Sequence, residues 1–342
     1  MKRIVIIITA VVLILVSQSC GDEGGGGGGI SLPNISGSTG EVLVVADKAK
    51  WESRLGSKIS EVIAAPIEYF PQPEPQFDLI NVSPGAFGKL YQTHRNVIFI
   101  ETGADREKGV TFREDTWAYS QLIINLRGRN DEEIISLLEE EGQSIINKIN
   151  VAERDRWIRV YKKSLNSMIF NKLRDEYDMT LHIPSNFSLD VEEKGFLWFS
   201  YETPTTTQAI LVHFFDHNGR NYFNEDSIIR IRDNMTEEKV KGPVGDSYMV
   251  IEERMPVKFR LFRFRQRNYA EMRGLWTLED GFMGGPFVNL VTRDEVNDRF
   301  VMIDGFVYAP KDKKRELLRQ VEAIIYTINF SGNADNAVTG GE

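Results

Sequence analysis

Cys20 is the chain's one thiol, and the residues around it set the chemistry it can do. Lys2 and Arg3 open the sequence, an unbroken apolar run follows from Ile4 to Val16, and Ser17, Gln18 and Ser19 lead into the cysteine. A basic start, a short apolar stretch and small residues before a cut form the pattern of an export signal. At about 1.5 Å per residue the thirteen-residue run spans roughly 20 Å, short of the ~30 Å hydrocarbon core, so it reads as cleaved. An exported chain with one cysteine has no partner for an internal disulfide. Residues 1–19 are therefore expected to be a signal peptide and Cys20 the lipidated residue, although Ser17 and Gln18 depart from the usual lipobox pattern. Each buried acyl methylene would contribute about 0.8 kcal/mol, so several chains would make the attachment effectively permanent. Cys20 is then committed to the anchor.

Other chemistry finds thinner support. His213 and His217 are four apart and would share a face of a strand, while Asp216 points away and a third ligand is missing. They read as strand-end histidines beside the Asn218-Gly219 turn. No Gly-x-Ser-x-Gly turn occurs, and nothing selects a serine to act with His94 or His182 as base. Fifty acids guarantee that some carboxylate pair falls close together, so proximity alone would not mark a glycosidase. Met283-Gly-Gly-Pro-Phe287 leads into an expected strand and lacks a following lysine, which suits a tight turn better than a phosphate cradle. Asp226-Ser227-Ile228 matches a short acceptor pattern for O-linked glycans, and helix capping already accounts for Asp226. No catalytic residue, metal ligand or cofactor is assigned, and the reading leans away from an enzyme.

One composite surface stands out. Pro71-Gln-Pro-Glu-Pro75 is a rigid extended arm carrying Gln72 and Glu74, and such arms lose little entropy on binding. His94 and Arg95 begin a strand, and Arg273 and Trp276 lie on a strand of the other half. If these loops converge between the halves they form a polar and aromatic cleft. The plain alternative places Trp276 in the core and pairs Arg273 with an acid.

The elements that must position these residues fall into two halves. Gly24 to Gly29 and the polar stretch to Gly40 read as a flexible tether, so residues 20–40 form the lipidated linker. Residues 41–174 alternate strands and helices, an α/β arrangement. Val42 to Ala46 is a strand buried on both faces, Asp47 caps a helix with Trp51, Leu55 and Ile59, and Trp117 to Leu126 is a long strand. Asn130 or Asp131 caps a helix through Ile149, and a second helix runs from about Glu153 to Arg174. Residues 175–330 are rich in antiparallel strands, with a helix from about Asn224 to Met235 and a last one opened by Pro310. Residues 331–342 form a polar tail expected to be disordered. The fold class is thus α+β.

Removing Lys2 and Arg3 from the 41 basic side chains leaves 39 against 50 acids, a formal charge of −11. That balance weighs against nucleic acid as a partner and against an electrostatic grip on an anionic membrane. Residues 258–267 form a local basic strip, which reads as a solvated antiparallel strand whose phase breaks after Leu261.

Several motifs together resemble a known family. They are Gly40-Glu-Val-Leu-Val-Val-Ala-Asp47 with Trp51, Pro71-Gln-Pro-Glu-Pro75 with Phe77, His94-Arg-Asn96 and Arg273-Gly-Leu-Trp276. Met283-Gly-Gly-Pro-Phe287, Gly305-Phe-Val-Tyr-Ala-Pro310 and Lys314-Arg315 complete the set. The chain resembles Bacteroidota lipoproteins grouped as domain of unknown function 4837, over nearly all of residues 40–330. The resemblance implies an envelope lipoprotein and no particular activity, and Val212-His-Phe-Phe-Asp-His217 departs from the pattern. Gly21-Asp22-Glu23 resembles the surface-export signal of such lipoproteins. The second half is faintly similar to the layered fold of Mog1 and PsbP-like proteins, a likeness of fold alone. The expectation is an exported, outer-membrane-anchored lipoprotein, periplasm-facing or surface-displayed, that engages an envelope protein or a small ligand. A hydrolase with a cleft between the halves is the alternative.

Overall fold

A run of residues with no polar break needs both faces covered, and Val42 to Val45 is such a run. In the computed structural model, which describes residues 32–330, this segment is an interior strand, β1 (Glu41–Val45). Helices α1 (Lys48–Trp51) and α2 (Arg54–Ile63) follow, then β2 (Asp78–Val82), α3 (Lys89–Gln92), β3 (Asn96–Thr102), β4 (Gly109–Glu114) and β5 (Leu122–Gly128). The sheet order is β2-β1-β3-β5-β4, parallel except for the edge strand β4. Val42, Val44, Ile98 and Ile124 pack on one face beneath α2 and a long helix α4 (Asp131–Lys163). The opposite face carries Leu43, Val45, Val97 and Ile123 under the half-buried rings of Phe87, Tyr91, Phe99 and Trp117.

Helix α4 is 33 residues long, about 50 Å at 1.5 Å per residue. The Asn130 side chain accepts from the Glu133 amide, and Asp131, Glu132 and Glu133 put negative charge at the positive end of the helix. A Cβ on Gly142 would stand 2.4 Å from Val62 Cγ1, so the glycine lets α2 and α4 approach. The sequence places a break near residue 150, but the helix runs on to Lys163, because no Pro or Gly interrupts residues 143–163. The break falls at Ser164–Asn166 instead. There the Ser164 carbonyl accepts from Ser185 N, Asn166 N donates to the Ile183 carbonyl, and the Asn166 side chain caps α5 (Ser167–Tyr177).

The second half continues with β6 (Met179–Thr180), β7 (Ser188–Glu193), β8 (Phe196–Glu202), β9 (Thr207–Asp216) and α6 (Glu225–Lys239). Then come β10 (Tyr248–Ile251), β11 (Lys258–Phe264), β12 (Arg267–Glu279), β13 (Gly284–Asp294), β14 (Arg299–Tyr308), α7 (Arg315–Ile325) and β15 (Asn329–Phe330). The antiparallel sheet has the order β10-β12-β13-β14-β9-β8-β7, and β11 shares with β10 the same edge of β12. Helix α7 and the end of α4 cover one face, where Trp157, Ile158 and Tyr161 join the core with Ile303, Val321 and Ile325. Helix α6 covers the other, around Trp276 and Phe287. A Cβ on Gly305 would stand 2.2 Å from Val321 Cγ1, so this glycine seats α7 on β14. The architecture is α+β, an α/β half joined to an antiparallel half.

Three expectations shift. The strand expected from Trp117 begins only at Leu122, because Asp115 and Ser120 turn the backbone through positive φ. The tether expected to reach Gly40 ends earlier, since Asn34 and Ser36 form parallel bridges to Tyr119 and His94. The strand expected from Met179 to Ile183 is two residues long and pairs with β15. Cys20, the signal peptide and the tail 331–342 lie outside the described residues.

Candidate ligand cleft

Helix α7 begins without a side-chain cap of its own, and its free amides are met from the other half. Glu74, in the proline-rich arm, accepts from Lys314 N at 2.8 Å and Arg315 N at 3.0 Å. Gln72 accepts from Lys314 Nζ at 2.7 Å, and the Arg315 guanidinium donates to the Pro75 carbonyl at 2.8 Å. A carboxylate at the positive end of a helix is favourable by charge and by hydrogen bonding. The arm thus fastens the halves at one end of their interface.

Beside that clasp a cleft of about 950 Å³ opens between the halves. β11 and the middle of β12 form its floor, α7 one wall, and α2 with the middle of α4 the other. The second wall mixes Val62, Leu138 and Ile146 with polar side chains such as Gln143, Asn147 and Asn150, whereas the floor is aromatic and charged. Lys258, Arg260, Phe262 and Phe264 enter it from alternate positions of β11, as the period of a strand requires.

Two carboxylates sit at the bottom. Glu271 accepts from Arg260 Nε at 2.8 Å and from Arg273 Nε and Nη2, each at 2.9 Å, while Tyr326 donates its hydroxyl to the same carboxylate. Glu322 accepts from Arg154 Nη1 at 3.1 Å and Arg273 Nη1 at 3.0 Å. The Arg154 guanidinium stacks 3.8 Å over the Tyr326 ring. Burial opposes the charge on Glu271, but Arg273 and Arg260 outweigh it and hold the carboxyl well below the usual range. Glu322 follows the same balance, lowered by Arg273 and Arg154 against burial. Burial would also discharge Arg273, yet the two glutamates keep it firmly protonated. The phenols of Tyr326 and Tyr69 are pushed up by burial, with Glu271 adding to the effect on Tyr326. Across the lining, seven cationic side chains face five acidic ones, in a chain whose formal charge is −9.

Residues 166–327, which supply most of this floor, match the family model described as Domain of unknown function (DUF4837). Residues 35–162, which hold the arm and the second wall, match a second model, Domain of unknown function (DUF8532). No curated protein matches the chain in sequence. Among solved structures, the Saccharomyces cerevisiae Ran-binding protein Mog1p is 10% identical at a TM-score of 0.29, covering 45% of this chain and 90% of its own. A Mog1 single-residue variant is likewise 10% identical at 0.29, over 45% of this chain and 91% of that one.

Of the six residues expected to form a surface, Arg273 alone lines the cleft. Gln72 and Glu74 make the clasp on α7. His94 is buried, its ring close beneath Gly37, and burial lowers its basicity against the pull of Glu41. Arg95 holds a buried bidentate pair with Glu153 at 2.9 and 2.7 Å. Trp276, on β12, is 2% exposed and donates Nε1 to the Val307 carbonyl at 3.2 Å. The six therefore share no face. Glu271, Glu322, Tyr326 and Arg154 were not singled out from the sequence, and Arg260 was read only as part of a solvated basic strand. The Arg260–Glu271 pairing follows from hairpin register, which a basic strip with no partner strand assigned does not announce.

His213 and His217 lie apart from all this. The His213 ring meets the Gly195 carbonyl at 3.2 Å, and His217 faces Asp298 at 3.7 Å. Among the described residues no three His, Cys, Asp or Glu side chains converge on a metal-sized site.

Proposed function

We propose that the protein is an exported lipoprotein, anchored at the outer membrane through acyl chains on Cys20, whose body is a non-catalytic binding module using the cleft between its halves. The observation that carries the binding reading is that the two carboxylates at the bottom of the cleft are already committed, Glu271 to Arg260, Arg273 and the Tyr326 hydroxyl, and Glu322 to Arg273 and Arg154. These pairings displace both carboxyls downwards, while burial displaces the phenols of Tyr326 and Tyr69 upwards, all away from neutrality. A general acid or base works best with a pKa near the operating pH, so these groups are suited to fixed charge and poorly suited to proton transfer. The aromatic floor and the excess of cations support a ligand with an anionic group and an apolar or aromatic body, from a small molecule or an envelope protein.

Two measurements test this. Mass spectrometry of the mature amino terminus should find an acylated cysteine at position 20. An unmodified terminus, or one beginning elsewhere, overturns the anchor. Crosslinking and recovery of the anchored protein should return a bound species that Phe262→Ser depletes at least about fivefold with folding intact. The alternative, an envelope hydrolase, shares the cleft. Ester, amide or glycoside turnover abolished by Glu271→Gln would establish it and remove the binding reading.

A further inference from the structure

The edge of β11 carries polar backbone groups that nothing in the described residues satisfies. Glu252 N donates to the Leu275 carbonyl, and Leu278 N donates to the Met283 carbonyl. In antiparallel pairs the bonding direction alternates along the strand. Odd positions of β12 therefore bond towards β10 and β11, and even positions towards β13. The register sets Arg260 opposite Glu271 and Phe262 opposite Tyr269. The even positions of β11 are thus spent on β12, and the amides and carbonyls of Phe259, Leu261 and Arg263 point away from the sheet. None of the three has a backbone partner outside the β11–β12 ladder among the described residues.

Exposed edges are usually shortened, bulged or interrupted by proline, because they template pairing with another chain. This one runs seven residues with continuous register and no proline, and Leu261 on it is 57% exposed. Its charge indicates the occupant. Lys258, Arg260 and Arg263 lie on the strand and Arg265 follows it, with no acid in the segment. Lys258 pairs with Glu68 and Arg260 with Glu271, whereas Arg263 and Arg265 meet no carboxylate within 4.0 Å among the described residues. A second copy would bring two cationic strands into one ladder with no acid between them, which opposes self-pairing. An acidic strand reverses that sign.

We propose that β11 is a docking edge which adds an extended, acidic segment of a partner protein as a further strand of the sheet. Main-chain bonds to Phe259, Leu261 and Arg263 would give affinity, and carboxylates beside Arg263 and Arg265 would give preference. This goes beyond the cleft reading, since it uses outward-facing backbone and not the cleft floor.

The test uses the full-length protein in detergent and a capped peptide of alternating glutamate and valine, seven residues long. The peptide should bind saturably and slow hydrogen exchange at the amides of Phe259, Leu261 and Arg263 at least about tenfold. Leu261→Pro, which removes one outward donor, should weaken it at least about tenfold, and Leu261→Ala less than about threefold. If the proline variant does not fold, N-methylation of alternate peptide amides tests the same bonds on the native chain and should abolish binding in one of the two phases. Unchanged affinity in both phases, unprotected edge amides at saturation, or equal binding of the lysine analogue would overturn the proposal. Phe262→Ser should leave peptide binding intact, which separates failure of this proposal from failure of the cleft reading.

Discussion

Glu153 and Arg154 are neighbours on one helix and serve opposite halves. Glu153 faces the parallel sheet, where it gathers Arg95, Arg156 and Asn96 at 2.7–2.9 Å with no exposure of its own. Arg154 faces the antiparallel half and reaches Glu322. The first cluster is closed: Arg156 also donates to the Ser120 and Arg95 carbonyls, and burial lowers its basicity to about 10 against the pull of Glu153. The second opens to solvent, for the Arg260 side chain is 51% exposed. Similar chemistry thus produces a fastener in one place and an accessible charged floor in the other. What separates them is the depth at which the arginines lie.

Breaking each cluster measures that difference. Glu153→Ala would leave Arg95 and Arg156 buried without their anion, and should cost about 3–5 kcal/mol in urea unfolding. Arg273→Ala exposes Glu271 and Glu322 to each other, but Arg260 and Arg154 remain and water can enter, so about 2–3 kcal/mol is expected. Equal losses would show that the cleft cluster is as closed as the other. Glu74→Ala should cost about 1–2 kcal/mol through the uncapped end of α7, read by the same unfolding curve.

Acid titration sharpens the comparison further. Glu153, Glu271 and Glu322 have lowered folded values, so their stabilisation is complete above the ordinary glutamate pKa, about 4.3, and is lost below it. His182 acts earlier. Burial, with Lys162 and Arg265 adding to it, lowers its ring to about 4, so stability should already fall between the ordinary histidine value of about 6.5 and that point. His182→Gln should make this limb shallower, leaving the share of His94 and His213, whose rings burial also lowers, and the steep limb below it. A pH curve unchanged by the substitution would remove His182 from the account. The smallest effect is expected at the surface. Arg254 is 86% exposed and pairs with Glu252, whose carboxyl it lowers to about 2, yet Arg254→Ala should leave the urea midpoint where it is, because water screens the pair.

Much of the fold was legible because its signals are local. Val42 to Val45 announces a buried strand, Asn130 followed by three acids announces a helix start, and Leu318, Val321 and Ile325 give α7 its stripe. Where expectation and structure part, distant contacts decide. The apolar stripe from Ile158 to Leu173 is continuous in sequence, but the backbone at Ser164–Asn166 is taken up by residues 183–185. The sequence joined Arg273 to five residues that lie outside the cleft, and Glu271, Glu322 and Tyr326 went unread. Glu74 looked like an outward contact and turned inward, because the uncapped α7 offers it two amides 240 and 241 residues away. The hairpin joining β11 to β12 turns at Arg265 and Gln266, both at positive φ without the usual Asn or Gly. Its register, and with it the Arg260–Glu271 pair, was therefore hard to read in advance.

The two family segments meet between residues 162 and 166, at the end of α4. Trp157, Ile158 and Tyr161 lie before that seam yet pack in the core beyond it. A protein cut there would expose those side chains on one piece and leave a hole in the other, besides losing the cap on α7. The two matched segments divide this molecule at one point, but cooperativity does not: melting should proceed as a single transition, and neither piece should be a durable protein by itself.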